Sequence, residues 1–255
     1  MSGLLRQAAI RGDLEALRGT LAKGPAVDEQ DGNGLTPLHL LCSSRGFAGS
    51  DRLACFHLLI EAGADPTKRT TSGWFPLLYA AGCGHPELVA ALLATSAQSD
   101  LNRINQNRLT PLHWACSSRY RSTVECVALL LSRGAAVNAR DMYGATPLDY
   151  ACAYADYEGV VRRIYPVLLR AGAALPALGT DQWERSIGRY STLNPIRRQA
   201  DYLYLQSVAA AGGYRNYERA HLKELSGIFV PKFARLLPPE MVRRVVEYAF
   251  DVGGH

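Results

Sequence analysis

The chain has 255 residues, 48% of them hydrophobic, and a formal net charge of +5. That composition supports a continuous core, and the absence of any stretch of about 18 apolar residues excludes an expected membrane span. The positive charge is dispersed apart from the pairs Arg162-Arg163, Arg197-Arg198 and Arg243-Arg244. These read as solvated helix faces, and without a recognition signature beside them no nucleic-acid partner is expected.

Met1-Ser2-Gly3-Leu4-Leu5-Arg6 runs directly into a helical pattern, without a basic region, apolar run and cleavage site in order. The expected compartment is therefore the cytoplasm or the nucleus. Ala8-Ala9 followed by Gly12-Asp13-Leu14-Glu15-Ala16-Leu17 is a half-match to a unit that recurs further on. It reads as a degenerate first copy whose polar side caps a stack.

The full unit opens with T-P-L-H at 36–39, F-P-L-L at 75–78, T-P-L-H at 110–113 and T-P-L-D at 146–149. In each T-P-L phrase the Thr caps a helix and the Pro occupies its first turn, where a missing N–H costs nothing. A second helix follows and ends at a glycine suited to the left-handed conformation, namely Gly63, Gly134 and Gly172. Ser96-Ala97-Gln98-Ser99 replaces that glycine in the third copy. Phe75 and Leu78 stand there in place of Thr and His, so this helix start is expected to lean on apolar packing. Residues 45–51 form an insertion between the helices of the second copy. Pro166 is expected to kink the last second-helix or move its start.

The prolines Pro37, Pro76, Pro111 and Pro147 lie 39, 35 and 36 residues apart. Phrase and spacing together resemble the ankyrin repeat, whose unit is about 33 residues, with short insertions. The resemblance covers about residues 1–174. It implies an all-α solenoid of about five helix–turn–helix repeats, the first degenerate, that binds another protein without catalysis and needs no cofactor. In that family the variable contact positions are the turn before the T-P-L-H phrase and the end of the first helix. Carried over by position, the turns offer Leu35, Trp74, Arg108, Leu109, Met142 and Tyr143, and the helix ends offer Arg119, Tyr120 and Tyr154. Aromatic residues and arginine lead because they dominate binding hot spots. Trp74 has a competing structural role, packing on Trp114. The column Leu40, Tyr79, Trp114, Tyr150 reads as core.

Cys42, Cys116 and Cys152 each follow a repeat proline by five residues, and Cys55 and Cys126 each precede a repeat glycine by eight. With no C-x-x-C spacing they read as small buried hydrophobes and not as metal ligands. Cys83 falls in the bend between two helices. His39 and His113 recur at a fixed offset and are expected to join neighbouring turns. No catalytic motif accompanies them.

After residue 174 the repeats give way to a connector over 175–194 and a helical module over 195–255. Helices are expected at 195–211, 217–229 and 239–250, packed on the last repeat. The run Leu236-Leu237-Pro238-Pro239-Glu240-Met241-Val242 resembles the L-P-x-E start of an F-box, including the truncated form that follows ankyrin repeats in poxvirus proteins. Less closely, Leu222, Ser226 and Val230 resemble the elongin-binding spacing of a SOCS box, with Ser226 where cysteine is expected and Pro231 expected to cut the helix short. Either resemblance implies a ubiquitin-ligase substrate receptor that docks a cullin-type core through Leu237, Pro238, Glu240, Val242, Val246 and Phe250. Plain helix capping is the alternative, because Pro and Glu both favour a first helical turn.

Overall fold

The computed structural model describes residues 2–44, 49–95, 101–118, 120–153, 160–175 and 195–233. Among them are twelve α-helices and no strand. Five pairs come first: α1 (Ser2–Arg11) with α2 (Leu14–Leu21), α3 (Pro37–Ser43) with α4 (Gly49–Glu61), α5 (Pro76–Cys83) with α6 (Pro86–Thr95), α7 (Pro111–Cys116) with α8 (Thr123–Ser132), and α9 (Pro147–Ala153) with α10 (Val160–Arg170). α11 (Pro195–Ala210) and α12 (Tyr214–Phe233) follow. The odd-numbered helices α1 to α9 pack side by side in one layer and the even-numbered α2 to α10 in a second. Leu38, Leu41, Phe56, Leu59, Leu77 and Leu130 are among the fully buried residues of the single core cluster.

Each helix start is built as the T-P-L-H phrase implies. Thr36 and Thr110 sit in extended backbone and form capping boxes with His39 and His113, with Pro in the first turn. Thr146 and Asp149 make the same ring, the Thr146 N–H and hydroxyl each donating to Asp149 Oδ2 over 2.8 Å. Phe75 makes no side-chain cap and is fully buried together with Leu78. The guanidinium groups of Arg69 and Arg103 lie 5.8 and 5.6 Å from its ring centre. Apolar burial thus replaces the polar ring at that start.

The histidines then join one repeat to the next. The Trp74 and Ala145 carbonyls can only accept, so the Nε2 atoms of His39 and His113 donate to them, over 3.3 and 3.1 Å. That tautomer leaves each Nδ1 to accept from the amide of its own Thr, over 3.2 Å in both cases. A second set of clamps runs behind the turns. The amide of Ala136 donates to Asn102 Oδ1 and that of Ala174 to Asn138 Oδ1, each at 2.7 Å, while the Asp65 amide donates to the Asp28 carboxylate.

One proline behaves differently from expectation, and a second sits inside its helix. α10 runs through Pro166 without beginning at it, and α12 continues past Pro231 to Phe233. α12 also starts at Tyr214, three residues earlier than the pattern suggests. The C-terminal helices do pack on the last repeat. Tyr165 of α10 stacks on Tyr204 of α11 with ring centres 5.9 Å apart, and Arg170 pairs with Glu218 of α12 over 2.6 Å. Leu205, Val208 and Tyr214 are buried in the same core cluster. The expected helix at 239–250 lies outside the described residues, as do Leu237, Pro238, Glu240, Val242, Val246 and Phe250.

Burial, which disfavours the charged ring, lowers His39 to about 4 and shifts His113 in the same direction. The fold therefore holds both rings neutral while the unfolded chain takes up protons below about pH 6.5. The stability that the neutral rings contribute is fully present above that pH and is lost as pH drops towards 4, by on the order of 3 kcal/mol for His39 alone. Chemical denaturation between pH 7 and pH 4.5 is expected to show this loss. Replacing both rings (His39→Gln with His113→Gln) should flatten the dependence while lowering stability at pH 7.

Candidate protein-interaction surface

The turn ahead of each odd-numbered helix from α3 to α9 is a closed backbone ring. In three of them an Asx side chain holds it: Asp31, Asn105 and Asp141 each accept from the amides two and four residues on, at 2.8–2.9 Å. Thr70 does the same more sparingly, taking the Trp74 amide on Oγ1 at 3.0 Å. Successive tips are also bonded, the Thr71 amide to the Asn33 carbonyl and the Met142 amide to the Asn107 carbonyl, both over 3.1 Å. A surface braced in this way loses little conformational freedom when a partner binds.

The fourth position of each ring has a positive φ, and three of the four residues there are glycine: Gly34, Gly73 and Gly144 at 79°, 76° and 81°. Gly34 has a second requirement, since a Cβ there would come within 2.7 Å of the Thr71 amide nitrogen. The remaining ring puts Arg108 in this position at φ 59°, the only non-glycine residue with positive φ among those described. An L-residue pays about 1–2 kcal/mol for that conformation.

The expected contact residues divide into several groups. Met142 and Tyr143 project from their tip, 51% and 46% exposed, and Arg108 is exposed as well. Leu35 and Tyr120 are half-buried. Leu109 is a correction: it is only 5% exposed and belongs to the core cluster. The ring closed by Asn105 turns the residue after Arg108 towards the helices, and this burial removes Leu109 as a contact. Arg119 and Tyr154 lie outside the described residues.

Trp74 is half-buried and packs as the structural alternative anticipated. Its ring centre is 4.8 Å from Trp114, edge to face, and 5.4 Å from Tyr79. Tyr79 and Trp114 are half-buried too, so the aromatic column expected to be core is fully buried only at Tyr150. The reason is lateral: Tyr150 is covered and its hydroxyl donates to Asp141 Oδ2 over 2.9 Å, whereas Trp74, Tyr79 and Trp114 lean on one another and keep part of their surface open. Trp114 can settle this closely because of Gly82, where any Cβ would overlap the indole. Sequence reading gave Gly82 no role, since a glycine inside a helical pattern does not reveal which ring will cover it.

Sequence reading also missed a cleft of about 340 Å³ at the helix ends, lined by Arg52, Cys83, His85, Glu87, Tyr120 and Ser122 among others. Arg52 of α4 and Glu87 of α6 form an ion pair of 2.9 Å across two repeats, with the arginine side chain 6% exposed. His85 Nε2 bonds the Ser44 carbonyl at 2.7 Å and Ser122 Oγ donates to the Gly84 carbonyl at 2.6 Å. The partners are 35 to 41 residues apart in sequence, so only stacking brings them together. Burial pushes the thiols of Cys42 and Cys116 well up and that of Cys126 to about 12, which keeps these sulfurs protonated and unreactive. Among the described residues no group of His, Cys, Asp and Glu is placed to hold a metal ion, and no helix is long and apolar enough to cross a membrane.

Comparison with known proteins identifies the architecture. A family model described as ankyrin repeats (3 copies) matches residues 5–97, 46–141 and 97–166, and the chain belongs to the ankyrin-repeat family. It is similar to the tyrosine-protein kinase HTK16 of Hydra vulgaris, 32% identical over 134 residues that make up 52% of this chain and 16% of the kinase. It is also similar to the mouse (Mus musculus) ankyrin repeat, SAM and basic leucine zipper domain-containing protein 1, 37% identical over 95 residues, 36% of this chain and 19% of that protein. A third relative is the human (Homo sapiens) ankyrin repeat and SOCS box protein 3, 28% identical over 185 residues, 59% of this chain and 34% of that protein. The matched region thus spans between about a sixth and a third of these relatives.

Gly82→Ala tests the aromatic shelf. In an ordinary exposed helix the change stabilises by up to about 1 kcal/mol. Here it is expected to destabilise by about 2 kcal/mol or more because Trp114 must leave its seat. Thermal unfolding with tryptophan emission, shifted to the red, reads the displacement.

Proposed function

We propose that this chain is a non-catalytic scaffold or adaptor whose partner protein lies across the ring tips and the open flank of the aromatic shelf. The observation that carries this reading is the exposure of Met142 and Tyr143 on a tip whose backbone is closed by Asp141 and tied to its neighbour. Large side chains on a rigid support make effective anchors because they bury area at small entropic cost. Arg108, Leu35 and Trp74 belong to the neighbouring rings and Tyr120 to the cleft at the helix ends, with Arg119 and Tyr154 as further candidates by position. The proposed division is 1–174 for the repeats, 175–194 for a connector and 195–255 for a helical module, in a cytoplasmic or nuclear protein.

A second reading makes the chain the substrate receptor of a ubiquitin ligase, with the repeats selecting the target and the 237–250 segment docking a cullin-type core. Two observations support it, the L-P-P-E run at 237–240 and the likeness to a relative named for its SOCS box.

Affinity capture with the whole chain, followed by calorimetry on the partner recovered, tests the first reading. The paired change Met142→Ser with Tyr143→Ser is expected to weaken binding by about 2 kcal/mol with an unaltered melting curve; unchanged affinity would put the interface elsewhere. Trp74→Ala should lower both affinity and stability, since its ring also packs on Trp114. For the ligase reading, cullin, Skp or elongin subunits should co-purify with the wild-type chain and be lost from Leu237→Asp with Val242→Asp. Their absence from the wild-type capture would leave the C-terminal helices with a structural role alone.

A further inference from the structure

Arg108 occupies the ring position that the three sister turns give to glycine. Its side chain is exposed, and the left-handed backbone it must adopt works against the fold. A Cβ built on Gly34 meets the backbone of Thr70 and Thr71, and one built on Gly73 meets Gln106, in each case the following tip. The tip that follows Arg108 carries the exposed Met142 and Tyr143, and its Met142 amide is bonded to the Asn107 carbonyl, next to Arg108 in the chain.

The charge around this pair of tips is one-sided. Over 65–75, 101–110 and 135–146 the exposed charged residues are Lys68, Arg69, Arg108 and Arg140, all basic. The carboxylate of Asp141 is buried and committed to the amides of Tyr143 and Ala145 and to the Tyr150 hydroxyl, and Asp65 Oδ1 is taken by the amide and hydroxyl of Thr67. Arg69 reaches the Ile104 carbonyl at 2.9 Å and Arg140 the Gly144 carbonyl at 2.9 Å, so their guanidinium groups are occupied in bracing the turns. Of the other two, Lys68 and Arg108, it is Arg108 that belongs to the ring bonded to the Met142 tip. Beside it stand a thioether and a phenol ring, apolar surfaces that a phosphate backbone would not use.

We infer that Arg108, with Met142 and Tyr143, forms a specificity pocket for a carboxylate next to an apolar side chain, so that the partner presents an acidic-apolar peptide segment to the tips ahead of α7 and α9. A guanidinium pairs with a carboxylate through two parallel hydrogen bonds, and this directional contact discriminates against neutral and basic segments. The inference rests on the reading of the tips as the contact surface.

The test pans a random dodecapeptide display library against the full chain and measures the enriched peptides by fluorescence anisotropy. Enriched sequences are expected to carry Asp or Glu beside an aromatic or aliphatic residue. Arg108→Gly should weaken them by at least about tenfold while leaving the melting temperature unchanged or higher, because glycine suits the left-handed backbone. Arg108→Lys, which keeps the charge, should retain part of the affinity. Peptides without an acidic preference, equal binding to Arg108→Gly, or no enrichment above background would overturn the inference. In the first two cases, loss of binding in Met142→Ser with Tyr143→Ser would preserve the tips as the contact surface, whereas indifference to that change as well would remove both readings. A random-sequence DNA duplex that displaces the peptides with the same dependence on Arg108 would move the site to a phosphate ligand and overturn the peptide assignment.

Discussion

The constraint on which the rest depends is the neutral histidine held between two repeats. His39 and His113 each accept from their own capping threonine on one nitrogen and donate to the next turn's carbonyl with the other. One side chain therefore sets a helix start and the distance to the following turn together. Because the ring is buried, that dual contact requires it to be uncharged, which ties the spacing of the tips to protonation. Where the histidine is missing, at Phe75 and Leu78, burial of an aromatic ring flanked by two guanidinium groups performs the same positioning.

Rigidity at the tips has a chemical consequence. With the ring amides committed to Asx side chains and the carbonyls to neighbouring amides, the backbone of the tips is largely satisfied within the fold, and what the tips present outward is the side chains at the crest. Those differ sharply along the stack: glycine and asparagine at the first tip, aromatic rings on the inner flank at the next, arginine at the third and a thioether with a phenol at the last. Which crest residues stand next to each other is a matter of stacking and not of local sequence.

The C-terminal helices bear on function through the far end of the stack. Tyr165, Tyr204, Tyr214 and Tyr217 form an aromatic cluster reinforced by the Arg170–Glu218 pair, so α11 and α12 cover surface of α10 that an unfinished solenoid would leave to water.

Local chemistry made much of this legible in advance. The capping threonines, the prolines of the first turn, the glycines at Gly63, Gly134 and Gly172 and the buried cysteine columns all act within one or two helical turns of their own position, so residue type and spacing determined them. The crest residues Met142, Tyr143 and Arg108 were legible for the same reason, as turn positions in a repeat. Leu109 was not, because its burial is decided by how the Asn105 ring closes against the helices. Nor were the Trp114 seat on Gly82, the Arg52–Glu87 pair and the cleft beside it, whose partners lie in different repeats and meet only when the layers stack. The passage of α12 past Pro231 belongs with them, since propensity marks that residue as a breaker and only the folded chain shows the helix continuing. Sequence alone determined the unit and its surface chemistry; the tertiary structure decided which side chains of successive units share a space, because contacts between layers depend on distances that no single repeat encodes.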